Sequence, residues 1–65
     1  RRGFAELARE EPEKAIGDLT EAIKLNPDDA RAYLMRSRAY EALGDMERSQ
    51  QDREEALRLD PSLGS

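Results

Sequence analysis

The hexapeptides AIKLNP (residues 22–27) and ALRLDP (residues 56–61) lie 34 residues apart in a chain of 65. Overlaid without a gap, residues 1–31 and 35–65 are identical at nine of 31 positions: Arg2/Arg36, Ala5/Ala39, Ala8/Ala42, Glu13/Glu47, Asp18/Asp52, Glu21/Glu55, Ala22/Ala56, Leu25/Leu59 and Pro27/Pro61. Lys14/Arg48, Ile23/Leu57, Lys24/Arg58 and Asn26/Asp60 are close replacements. An abundance of Glu, Ala and Arg accounts for some of these matches, but not for the aligned prolines and the matched tails. A fixed period of this size marks a repeat array, in which each unit is a small supersecondary element that buries its apolar face only against its neighbours.

The residues available decide what that element is. Glu, Leu, Ala, Arg and Lys dominate, all good helix formers. Valine is absent, and the β-branched residues are only Ile16, Thr20 and Ile23, so a sheet is not expected. With three aromatics, Phe4, Tyr33 and Tyr40, the core is thin for a chain of this length.

Punctuation splits each unit into two helices. Asp28 or Asp29 is placed to cap a helix start by accepting backbone N–H groups. Ala32, Tyr33, Ala39, Tyr40 and Leu43 then recur at helical spacing, and Gly44 suits the left-handed residue that ends a helix. Asp45 is placed to cap the next helix, expected from about Met46 to Leu59 and stopped by Pro61. In the first unit, Pro12 belongs in a first helical turn. The helix from about Pro12 to Leu25 carries Ala15, Ile16, Leu19, Ala22, Ile23 and Leu25 along one stripe. Gly17 in mid-helix costs about 1 kcal/mol relative to alanine and is read as a close helix contact or as mere tolerance. The expected division is a truncated repeat over 1–27, a complete repeat over 28–61 and a tail over 62–65, within a fragment of a longer array.

These residues resemble the tetratricopeptide repeat family, whose helix–turn–helix units of 34 residues carry an aromatic, a Leu-Gly step and a tyrosine on the first helix, then alanines around an aromatic on the second and a closing proline. In the second unit Tyr33, Tyr40, Gly44, Ala56 and Pro61 match; in the first, Gly3, Ala15, Leu19 in the aromatic's place, Ala22 and Pro27 do. The resemblance implies an all-α fold: tandem antiparallel helix hairpins of a right-handed α-solenoid. Arg36-Ser37 stand in place of Leu-Gly, as Arg2-Gly3 do in the first unit. Ser49, Gln50 and Arg53 replace Ala, Ile and the aromatic where a following repeat would pack. A polar outer face suits a terminal unit; alternatively, Arg53 lays its stem over a neighbouring helix.

An enzyme is not expected. The chain has no Cys and no His, so thiolate and imidazole chemistry are excluded. Glu54 and Glu55, adjacent on a helix, do not converge. No metal-loop spacing or phosphate-cradling glycine loop is present, and neither a metal nor a cofactor is expected. The 11 basic and 15 acidic residues are interleaved, with a net charge of −4. That disfavours nucleic acid and anionic membrane surfaces as partners. No apolar run reaches membrane-span length. The lack of cysteine leaves the compartment unassigned, with a soluble intracellular chain as the expectation.

Binding is the favoured function. In the family, the first helix of each unit lines a concave groove for an extended peptide or partner helix. Arg31, Leu34, Met35 and Arg38 fall at i, i+3, i+4 and i+7 on the second unit's first helix, the groove-lining side by register, while Tyr33 and Tyr40 face the helix partner. Arg1 and Phe4 take the equivalent places on the first unit. Apolar side chains framed by arginines suit an acidic or carboxylate-bearing peptide. The plainer reading is that Leu34 and Met35 pack on a neighbouring helix and the arginines pair with acids of the chain. Some family members grip a C-terminal carboxylate with Lys, Asn and Arg on their first helices. Here Met35 fills the inward Asn place and that set is not reproduced. The alternative function is a purely structural unit that self-associates through exposed repeat ends or packs on neighbouring repeats.

Overall fold

The computed structural model describes residues 11–64. Three helices follow one another, α1 Pro12–Leu25, α2 Ala30–Ala42 and α3 Met46–Leu59, and a short 3-10 turn, Pro61–Gly64, follows α3. The expected bounds of α1 and α3 are those observed. Repeat-signature residue Gly3 and groove candidates Arg1 and Phe4 lie outside the described residues.

The helix ends follow from side-chain chemistry. Asp29 caps α2 by accepting from the Ala32 backbone N–H at 3.3 Å. Asp45 caps α3 in the same way, accepting from the Arg48 N–H at 3.2 Å. At the end of α2, Asp45 N–H reaches the Tyr40 carbonyl at 2.9 Å and Gly44 N–H the Glu41 carbonyl at 3.0 Å. That paired closure requires a left-handed residue between, and Gly44 supplies it with φ of +83°. An alanine there meets no steric neighbour but forces a β-carbon into the left-handed region. Gly44→Ala is therefore expected to cost about 1 kcal/mol, read as a lower urea midpoint.

α2 lies between α1 and α3 and packs on both; the backbones of α1 and α3 do not approach one another. α2 and α3 form an antiparallel hairpin. The buried apolar set is Ala15 and Leu19 on α1, Ala30, Ala32 and Ala39 on α2, and Ala56 on α3. Apart from Leu19 these are alanines, so the helices approach closely and gain little from each single residue. Ile16, Ile23 and Met35 close over the α1–α2 seam.

One expectation about α1 needs correction, and one open choice is decided. Leu25 does not join the stripe but is 85% exposed, although Ile23 in the same last turn packs on the α1–α2 cluster. Of the two readings of Gly17, tolerance is the one that fits: a β-carbon there meets nothing within 4 Å.

Candidate interaction surface

α2 displays different chemistry on its different sides. Toward α3 and α1 it sends Arg36, whose Nε and Nη2 donate to the two carboxylate oxygens of Asp52 at 2.8 Å each. Its Nη1 donates to Thr20 Oγ1 on α1 at 3.3 Å. The guanidinium also lies 5.5 Å from the centre of the Tyr33 ring and 6.0 Å from that of Tyr40. One side chain thus links all three helices, with Asp52 only 7% exposed. The hydrogen bond to Asp52 raises the Arg36 pKa against the cost of burial, so the guanidinium stays charged. Beside this clamp, Ser37 and Ser49 share a buried hydrogen bond of 3.1 Å. Ser49, expected on the outer face, is turned inward because this hydroxyl pair meets its hydrogen-bonding need within the hairpin.

Sequence reasoning flagged Arg36 as a departure and missed the clamp. A signal was present: Arg2/Arg36 and Asp18/Asp52 recur in both units with one separation, which is that of the bonded pair. The structure describes the second pair; Arg2 lies outside the described residues.

The four predicted groove residues on α2 do not stay together. Met35 turns to α1 and packs on the Ala15–Leu19–Ala32–Ala39 cluster. Leu34 and Arg38 turn the other way, to a groove shared with Arg53, Leu57 and Leu63. Arg31 is exposed. Successive helical residues differ by 100°, and with a neighbour on each flank of α2 that angle sends Leu34 and Met35 to different sides.

The charges on this surface are unequal. Arg48 pairs with Asp45, Arg53 with Glu41 at 3.7 Å and Arg58 with Glu55. The Arg58 guanidinium holds the Glu55 carboxyl below its usual range. Arg31 and Arg38 are the only arginines among the described residues with no ion-pair partner. They flank the half-buried Leu34 on one side of α2, about two helical turns apart. The described residues contain no His/Cys/Asp/Glu group fit to hold a metal and no helix long and apolar enough to cross a membrane.

Comparison with known proteins places this arrangement. The tetratricopeptide repeat profile matches residues 30–63, which are α2, α3 and the 3-10 turn. Hsp70-Hsp90 organizing protein 1 of Glycine max is 49% identical over 50 residues, 77% of this chain and 9% of that protein. DnaJ homolog subfamily C member 3 of Gallus gallus is 48% identical over 50 residues, 77% of this chain and 10% of that protein. Small glutamine-rich tetratricopeptide repeat-containing protein 2 of Saccharomyces cerevisiae is 37% identical over 60 residues, 92% of this chain and 17% of that protein. The chain thus spans a small part of the length of the curated relatives it matches. No solved structure gives a significant match. Hairpin geometry, repeat period and these matches agree: the chain belongs to the tetratricopeptide repeat family.

Proposed function

We propose that the chain is a protein–protein interaction module, binding rather than catalytic, whose α2 face of Arg31, Leu34 and Arg38 captures an acidic or carboxylate-bearing segment of a partner. The observation that carries this reading is the pair of arginines left without an acid of their own. Every other described arginine is matched within the chain, so these two guanidiniums retain their hydrogen-bonding capacity for a ligand. Leu34 between them offers an apolar contact. Relatives that include Hsp70-Hsp90 organizing proteins support a partner that is itself a protein. The missing Asn at Met35 argues for recognition along the side chains of the segment rather than by a family-type grip on its terminus.

The test is a titration of a labelled acidic ten-residue peptide against the wild-type chain and the Arg31→Glu/Arg38→Glu double variant, read by fluorescence anisotropy. Each charge-assisted contact is worth about 1.5–3 kcal/mol, so losing both lowers affinity by roughly 100-fold or more. Both positions are solvent-exposed, and helicity by circular dichroism is expected to stay unchanged. Equal capture by both proteins would instead support a structural unit that contacts only other repeats or its own copies.

A further inference from the structure

Arg31 and Arg38 are seven residues apart on α2, so their α-carbons are separated by about 10.5 Å along the helix axis and point nearly the same way around it. Leu34 lies between them and to one side, three residues after the first and four before the second. It is the apolar side chain that this face offers, since Met35 turns to α1. The arginines are also bracketed by acids. Asp28 precedes Arg31 by three residues and Glu41 follows Arg38 by three, and both are exposed. Along α2 the order is therefore acid, base, apolar, base, acid, and the two positive positions have a fixed separation.

That separation selects the conformation of a bound segment. In polyproline II, residues three apart point to the same side at about 9.3 Å, which brings two carboxylates within reach of the two flexible arginine side chains. In a β-strand, residues two or four apart share a side, at about 6.6 or 13 Å, and both distances fit less well. An α-helix presents residues seven apart at about 10.5 Å, but it docks through an apolar stripe several turns long, and one half-buried leucine gives such a stripe no seat. We infer that this face takes a polyproline II segment of the form acid–apolar–proline–acid, with uncharged or basic residues on either side. The inference rests on the α2-face reading above and specifies its ligand. Proline holds the segment in its bound form before contact, the apolar residue meets Leu34, and each carboxylate takes one guanidinium. Asp28 and Glu41 repel further acids at the two ends, which separates this site from a surface that attracts any acidic run.

The test is a set of four labelled peptides titrated against the wild-type chain by anisotropy. The first carries Glu-Leu-Pro-Glu between uncharged flanks. In the second and third the two glutamates stand two or four residues apart. The fourth keeps the centre of the first and replaces its flanks by glutamates. The first is expected to bind about tenfold more tightly than the second and third, because a misplaced carboxylate forfeits one charge-assisted contact. The fourth is expected to bind no more tightly than the first despite its added charge. Arg38→Gln is expected to level the first three peptides, and Leu34→Ala to weaken the first but not a version with serine in place of its leucine. Equal binding of the first three by the wild-type chain, or tightest binding of the fourth, would overturn this inference and leave the α2-face reading in place. No binding of any peptide would overturn both. Tighter binding of a helix-forming peptide with glutamates seven residues apart would overturn it in favour of a helical partner. Concentration-dependent mass in sedimentation that Arg31→Glu/Arg38→Glu abolishes would overturn it in favour of a second copy.

Discussion

Replacing Arg36 by methionine is expected to cost about 3 kcal/mol or more, since removing one partner of a buried ion pair leaves the other charge uncompensated. The Arg36 and Asp52 side chains are only 18% and 10% exposed, so water does little to replace the lost partner. The substitution also removes the bond to Thr20 and the stacking on Tyr33 and Tyr40. Folded domains hold only a few kcal/mol in reserve, and with a core made largely of alanines this loss is expected to abolish most of the cooperative urea transition. The double variant Arg36→Met/Asp52→Leu removes both charges and is expected to recover much of the stability, because desolvation of the pair offsets most of its attraction. A surface-type pair would give a loss below about 1 kcal/mol and no recovery in the double variant. Urea denaturation followed by circular dichroism distinguishes the two.

Truncation of Leu19 to alanine is the second large effect expected, a loss of about 2–5 kcal/mol. Leu19 is the one large apolar side chain buried to 3% exposure among the described residues; its buried apolar companions are alanines. The alanines around it cannot reach into the space left behind, and the extent to which Ile16, Ile23 and Met35, packed on the same cluster, close it sets where in that range the loss falls. Leu25→Ala, at a position 85% exposed, is the control and is expected to change stability by no more than about 0.5 kcal/mol. Thermal melts of the two variants side by side check whether the α1–α2 seam is held by this residue.

What could be read from the sequence was what local chemistry decides. Asp29 and Asp45 cap helices, Gly44 closes one, and Pro61 stops α3, each acting on backbone groups within a few residues. The repeat period located α1, α2 and α3 for the same reason: it aligns local punctuation. The rest depends on which side of each helix meets a neighbour. Leu34 and Met35 share a face on an isolated helix, but α2 has helices on both flanks, and the two residues separate. Arg36 stood out only as a departure from the repeat pattern and Ser49 as part of a polar outer face, whereas a carboxylate on α3 and a hydroxyl on α2 hold them inside. Leu25 fitted the apolar spacing of α1, yet it points to solvent while Ile23 two residues earlier packs on the cluster. Each of these outcomes turns on a tertiary partner that spacing along one helix does not reveal.

The central claim is that the Arg31–Leu34–Arg38 side of α2 is a capture surface for an acidic segment. Its most direct test is a two-dimensional NMR titration of the isotope-labelled, backbone-assigned chain with the acidic peptide. Saturable shifts centred on Arg31, Leu34 and Arg38 are expected, weakened by added salt as exposed charges require, while the signals of the outer residues of α1, Glu13 and Asp18, stay in place. Shifts confined to α1, or none at peptide saturation, would contradict it.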